Sequence, residues 1–375
     1  MNVEMKWIKY LRQMPTIHEL KGMLKNSNYC ISNALPKQVF VLGAGGEGAR
    51  LIAECEVAGI EVIKLFDNDV TKRGRSINGV LIEPYDALLD SNNEIPVIIA
   101  SHRTYSATIG LRSLGFNVAN YAALQILYPE FFKPHMFYDG LHDDLVTNGH
   151  EIIKLFDALS NIESQKVLDA IIGYRITLDP ENLRGLIDWD LYGLSNVIRL
   201  NEEEVYVDGG SFDGDSIKIF MERVSGLYKR IYAFEPDPKT YKKLCENLLE
   251  YENIVTVNKG LHSCENQLRF NNDGSRGAII ADAGNIVINT CAIDHVVTDQ
   301  VATFIKMNIE GTELEALDGA RETITKSKPK LAISLYHRPS DLWAIPKKIS
   351  NLGLGYEMHL SQHDGGIIES VLYAI

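Results

Sequence analysis

Three acids and three glycines crowd into Asp208-Gly209-Gly210-Ser211-Phe212-Asp213-Gly214-Asp215, and a further acid, Glu235, closes the next apolar run. Val205–Val207 before this loop is β-branched and aromatic and reads as a buried strand. A helix pattern begins near Ser216, and Ile231–Phe234 reads as a second strand. A strand, glycine loop, helix and strand in this order let the loop backbone approach a ligand, with the helix N-terminus behind it. An acid at the second strand's tip can accept both hydroxyls of a ribose. The unit predicts a nucleoside ligand, against the plainer reading of a glycine-rich turn that binds nothing. Three aspartates around the loop would repel a pyrophosphate but tolerate a sulfonium and an ammonium. S-adenosylmethionine carries both.

A second loop of this kind lies near the start. Gln38–Leu42 is an apolar strand running into Gly43-Ala44-Gly45-Gly46-Glu47-Gly48, which fits G-x-G-x-x-G, and helical spacing follows through Leu51, Ile52 and Val57. A strand at Glu61–Phe66 ends on Asp67, near the expected interval for a ribose acceptor. Gly43, Gly45, Gly48 and Asp67 could form a second site for a nucleotide, dinucleotide or nucleotide-sugar. The competing reading is a Rossmann-like unit kept for packing or partner contacts, since the fold alone does not establish cofactor use.

Two sets of elements must position these loops. Pro96–Ala100 and Val118–Tyr121 are further strands of the first unit, with a helix over Tyr105–Leu114 between them. Residues 136–200 show helical spacing at Ile152–Leu159 and Val167–Ile176, with Pro180 starting another helical segment. Trp189 and Tyr192 in this stretch read as core or interface residues that could also wall a substrate pocket. The third unit continues with strands at Asn253–Asn258, Thr303–Asn308 and Lys330–Leu335, short strands and turns over 266–291, and a helix from Ser340 to Asn351. Tyr356–Leu360 and Ser370–Ala374 are joined by too short a loop for a parallel crossover, so they predict an antiparallel hairpin. The fold class expected is α/β: two doubly wound Rossmann-like domains, the C-terminal one a class I methyltransferase fold ending in that hairpin. The boundaries read 1–135 for the first domain, 136–200 for a helical connector and 201–375 for the last.

Composition bounds the rest. The 375 residues are 45% hydrophobic and 23% charged, as in an ordinary globular protein. A net charge of −13 argues against a nucleic-acid partner. Five scattered cysteines with no C-x-x-C pair suggest neither a zinc knuckle nor a disulfide framework, and point to a reducing cytoplasm. No apolar stretch reaches membrane-spanning length.

VDGGSFDGDS, FEPDP, IDHVV, FIKMNIEGTELEALDGA and LAISLYHRPSDLW, in this order and spacing, resemble the FkbM-type methyltransferases over residues 203–375. The resemblance implies S-adenosylmethionine-dependent O-methylation of a hydroxyl on a small molecule, sugar or glycan precursor. It also implies that Gly209, Gly210, Ser211 and Gly214 shape the loop against the methionine part of the cofactor. By the same transfer Asp208 supports the loop or meets the ammonium, Glu235 binds the ribose, and Lys259-Gly260 lies near the adenine. Asn308 would stand where sulfonium and acceptor meet. The family commonly reads KIDVEG, whereas this chain reads Lys306-Met307-Asn308-Ile309-Glu310-Gly311, and a neutral Asn308 cannot be the general base.

The candidates for base or orienting group are therefore His337, a side chain that titrates near neutrality, and Glu310, which could equally be a first-turn helix acid. No metal is assigned: His359, His363 and Asp364 are close in sequence, but a solvated hairpin turn accounts for them. The acceptor expected is a small molecule or saccharide, and homo-oligomerisation stays open. The rivals are a nicotinamide-dependent oxidoreductase or nucleotide-sugar binder using the GAGGEG site, and an inactive cofactor-binding scaffold.

Overall fold

A computed structural model describes residues 5–31, 34–192, 197–271, 279–280 and 286–375. It opens with α1 (Lys6–Leu11) and α2 (Ile17–Ser27), the latter started by a Thr16/Glu19 capping box. The first sheet then forms from β1 (Gln38–Leu42), β2 (Glu61–Asp67), β3 (Ser76–Ile77), β4 (Val80–Pro84), β5 (Val97–Ile99) and β6 (Val118–Asn120). Helices α3 (Gly46–Val57), α4 (Tyr85–Leu89), α5 (Tyr105–Ser113) and α6 (Tyr121–Leu127) alternate with them. The strand order is β3-β4-β2-β1-β5-β6, parallel except for β3, which pairs antiparallel with β4. This is a doubly wound sheet whose order reverses between β1 and β5, the place where such sheets bind ligands.

The connector is α7 (Leu141–Ala158) and α8 (Ile162–Thr177), followed by a short 3-10 turn at Pro180–Leu183. Helices α1 and α2 pack on this pair. Asp169 on α8 accepts both the Trp7 and Ile8 amides, at 2.8 and 2.7 Å. From Val167 to Thr177 helix α8 is buried on all its faces, which tells of a helix surrounded by protein.

The second large sheet contains β7 (Val205–Gly209), β8 (Arg230–Phe234) and β9 (Ile254–Val257), with α9 (Asp215–Arg223) and α10 (Pro238–Leu248) between them. A small four-stranded sheet follows: β10 (Gly260–Leu261), β11 (Gln267–Asn271), β12 (Ile279–Ile280) and β13 (Ile286–Cys291). Of the short strands and turns expected over 266–291, residues 272–278 and 281–285 lie outside the described residues. After α11 (Ile293–Val296) come β14 (Phe304–Met307), α12 (Glu313–Asp318), α13 (Arg321–Ser327), β15 (Lys330–Ser334), α14 (Asp341–Ser350), β16 (Met358–Gln362) and β17 (Ser370–Ala374). The order is β16-β17-β15-β14-β7-β8-β9, with β17 antiparallel to both neighbours, so the expected terminal hairpin is present. One apolar core runs without a break from Val39 and Val41 of the first sheet through the connector to Val207 and Ile333 of the second.

Two expectations fail here. The turn joining β16 to β17 is not solvated: residues 362–367 are all buried, pressed against the first domain. A Cβ on Gly365 would stand 2.1 Å from Tyr105 Cβ, and one on Gly366 would stand 2.1 Å from the His102 carbonyl. The core half of the reading for Trp189 fails, since it is 64% exposed, while its ring 6.2 Å from that of Tyr105 accords with the interface half.

The centre of the second sheet is tied by one ion pair. Lys306 and Asp208 are neighbours on β14 and β7, with side chains 3% and 0% exposed and 2.8 Å apart. Lys306 Nζ also donates to the carbonyls of Gly209 (3.0 Å) and Gly210 (2.9 Å), and Ser216 Oγ donates to Asp208 Oδ2 (2.6 Å). Replacing Lys306 by Met leaves a buried carboxylate without its cation, and should lower unfolding free energy by about 3–5 kcal/mol. Urea denaturation followed by far-UV circular dichroism checks this, and a loss below about 1 kcal/mol would show that another group neutralises Asp208.

Candidate functional site

The β7 loop turns at Gly210, where φ is +73° and an added Cβ would lie 2.0 Å from the Asn308 carbonyl oxygen. Only glycine lets the loop cross the tip of β14 so closely. Gly214, at φ +93°, caps α9. Ser211 is buried, its Oγ donating to the Asp208 carbonyl at 2.9 Å. Asp208 is held by Lys306 and Ser216, so of its two expected roles the structure supports that of loop support.

Glu235, at the tip of β8, faces this loop. Its Oε2 accepts the Phe212 amide (3.0 Å) and its Oε1 the Asp237 amide (2.9 Å). Burial pushes its carboxyl up to about 7, against these two bonds. Each oxygen keeps a lone pair, which a vicinal diol could fill. Beyond β9, Gly260 enters the small sheet beside Thr290, and Lys259 Nζ pairs with Glu265 at 2.8 Å.

Asn308 follows β14 directly. Its Oδ1 accepts from the Tyr336 hydroxyl (3.1 Å), and its Nδ2 donates to that of Tyr192 (3.3 Å). Glu310 is not a first-turn helix acid. It sits at φ +58°, and the helix begins only at Glu313. This left-handed residue, followed by Gly311 at φ +93°, turns the Glu310 carboxylate toward His337, 3.7 Å from Nε2. Burial, with Glu313, Glu369 and Glu235 nearby, raises the Glu310 carboxyl to about 7 although His337 opposes this.

His337 is fully buried, with Nδ1 2.9 Å from Glu313 Oε1. Burial would push it down, but Glu313, Glu310 and Asp341 hold it at about 9. At neutral pH it is an imidazolium with no lone pair to take a proton. This upward shift speaks against the expectation that His337 is the base, and its Nε2 instead faces the Glu310 carboxylate. Glu313 in turn accepts the Ile309 amide at 2.9 Å. From the connector, Arg175 donates to the carbonyls of Pro339 (2.7 Å) and Leu335 (3.2 Å) and so clamps the segment that carries His337.

The other candidates separate from this cluster. His363 has both ring nitrogens engaged, by the Asp188 carbonyl (2.7 Å) and the Tyr373 hydroxyl (2.9 Å). His359 meets Asn161 at 3.0 Å, and Asp364 pairs with Arg103 at 3.4 Å across the domain boundary. In the first domain, Asp67 accepts the Ala44 and Asp69 amides, both at 2.7 Å, and pairs with Lys72 at 2.9 Å. A Cβ on Gly43 would meet the Ala100 carbonyl at 2.7 Å, and one on Gly48 the Gly43 carbonyl at 1.9 Å. Packing thus explains Gly43 and Gly48, while Gly45 has open space before it.

Lys306, Tyr336, Glu313 and Asp341 were not among the sequence candidates, and Tyr192 was read only as a core, interface or pocket-wall residue. A lysine within an apolar strand, opposite an aspartate in another, was the one signal available for the first. Met136 and Phe137, which follow the first sheet, pack against the segments that carry Glu310 and His337. Met136 Cε lies 3.0 Å from where a Gly311 Cβ would be, and the Phe137 ring is 5.7 Å from Tyr336 and 6.1 Å from His337.

Residues 208–363 match the profile of the Methyltransferase FkbM domain. The hexuronic acid methyltransferase AglP of Haloferax volcanii is 29% identical over 137 residues, which cover 35% of this chain and 57% of that protein. The match thus spans little more than half the length of this curated relative. The crystal structure of a methyltransferase FkbM from Methylobacillus flagellatus KT superposes with a TM-score of 0.78 over 99% of both chains, at 23% identity, and so shares the fold of both domains.

Replacing Glu313 by Gln removes the main counter-charge of His337. The imidazole should then titrate well below its present value of about 9, toward the ordinary histidine range. In the intact chain this pairing stabilises the fold fully below pH 6.5, and the contribution fades as pH rises through about 9. NMR titration of the His337 ring checks both. An unchanged midpoint in the variant would mean that Glu313 does not hold the charge.

Proposed function

We propose that the C-terminal part of the chain, which matches the Methyltransferase FkbM domain over residues 208–363, moves a methyl group from S-adenosylmethionine to a hydroxyl of a sugar or similar polyol. The observation that carries this reading is that two buried carboxylates, Glu235 at the tip of β8 and Glu310 just beyond β14, are close enough for one to raise the other. Glu235 is a buried acceptor suited to a ribose diol, and Glu310 is a carboxylate raised to about 7. The saccharide acceptor is supported by the likeness to a hexuronic acid methyltransferase.

S-adenosylmethionine, when bound, supplies a methyl carbon activated by a cationic sulfur. The residues that would hold it are Glu235 at the ribose, the Gly209–Gly214 loop at the methionine part, and the Lys259-Gly260 turn at the adenine. Asn308, fixed by two tyrosine hydroxyls, orients the acceptor hydroxyl. Glu310 takes the proton as the acceptor oxygen forms its new bond to carbon and the carbon–sulfur bond breaks. A carboxylate that titrates near neutral pH is well matched to this task. His337 opposes the burial that raises the Glu310 carboxyl, and Glu313 favours the protonated form of His337. We assign residues 1–135 and the connector over 136–200 to presenting the acceptor, since Met136 and Phe137 pack against Gly311, Tyr336 and His337.

Calorimetry with S-adenosylmethionine should give binding by the intact chain and much weaker binding by Glu235→Ala. It should weaken as pH falls through about 7, because the protonated carboxyl loses an acceptor. Glu310→Gln should keep that binding and lose about 10²–10⁴ in turnover with a uronic acid or sugar acceptor. No binding by the intact chain would sink the cofactor assignment. Full turnover by Glu310→Gln would remove it as the base.

A further inference from the structure

A second constellation lies in the first domain, outside the methyl-transfer site. Glu47 stands in the first turn of α3, His102 just beyond β5, and His135 on the segment entering α7. A carboxylate oxygen of Glu47 and one ring nitrogen of each histidine all lie within 4.8 Å of one another. The two imidazole centroids are 4.6 Å apart at 50°. The place is the carboxyl edge of the parallel sheet, where its strand order reverses between β1 and β5. All three residues are half-buried, so the site is reachable from solvent.

Nothing else in the fold accounts for the two rings. Among the described residues His102 makes no hydrogen bond or ion pair. The His135 ring receives one long bond, 3.4 Å, from the Phe137 amide to Nδ1. Phe137 packs on both imidazoles, at 4.9 and 4.3 Å, and supplies an apolar wall that limits their rotation. Arg50 is the opposing charge. Its Nη2 pairs with Glu47 Oε2 at 2.9 Å and its Nε donates to Tyr121 at 3.0 Å, which ties it back. Two stacked imidazoles need no carboxylate for packing. Two imidazoles and a carboxylate converging on one point are the donor set of a first-row divalent ion.

We propose that Glu47, His102 and His135 bind a divalent transition-metal cation of the zinc class. Three protein ligands leave a coordination position open. Phe137, which packs on both imidazoles, also meets the Tyr336 and His337 rings. The buried trio Glu313, His337 and Asp341 offers a comparable donor set, but the Ile309 and Arg338 amides already bond its two carboxylates, at 2.9 and 2.8 Å.

The test is a titration of the metal-stripped full chain with Co²⁺, followed by its d–d absorption, and with Zn²⁺ against a chromogenic chelator. Stoichiometric binding is expected, without thiolate charge-transfer bands and unchanged in Cys264→Ala, which removes an exposed thiol. His102→Ala and His135→Ala should each raise Kd by roughly 100-fold or more, the upper end of what losing even an outer-shell partner does. His102→Gln and His135→Gln keep the polar surface should the alanine variants fail to fold, and circular dichroism verifies each. Three results would overturn the site: no stoichiometric binding, binding indifferent to both histidines, or a loss that follows Glu313→Gln instead.

Discussion

The ion pair between Lys306 and Asp208 is the constraint on which the second domain's chemistry depends. A lysine and an aspartate buried side by side at the carboxyl ends of two central strands carry a large desolvation cost, and only tight geometry offsets it. Here the geometry is supplied by the loop itself. Lys306 also gathers the carbonyls of Gly209 and Gly210, and Ser216 takes the second oxygen of Asp208. The loop is thereby locked before any ligand arrives, with Asn308 pressed beneath Gly210. A site whose backbone is already fixed spends less of its binding energy on ordering.

A second tier of charge rests on this frame. Glu313, His337 and Glu310 form a line in which each group sets the state of the next. The buried imidazolium is tolerable only between carboxylates, and Glu310 is held at a strained backbone position where its side chain meets that cation. Arg175, reaching in from the connector, fixes the chain on either side of His337. The connector is thus part of the site's support, though none of its helices contributes an acid or base to the cleft.

Much of this was legible in the residues. The glycine loop and Glu235 announced a strand-loop-helix-strand unit, and the short link before Ser370 announced the antiparallel finish. What escaped depends on contacts distant along the chain. His337 reads as a neutral base until Glu313 is seen beside it, and no periodicity joins the two. Tyr192 and Tyr336 come from different elements to grip Asn308. Residues 362–367 looked solvated because Gln362, His363 and Asp364 are polar. They are buried because a carbonyl, a tyrosine hydroxyl and Arg103 satisfy them. Trp189 erred in the opposite direction, since aromatic character alone says little about burial.

The filled turn between β16 and β17 limits how this protein could have diversified. Hairpin tips are ordinarily where a lineage can gain or lose residues at little cost. With Tyr105 and the His102 carbonyl against Gly365 and Gly366, this tip has no room for even a methyl group. A change of length at this tip would need a matching change in the 101–105 loop, so the two segments behave as one unit toward insertion.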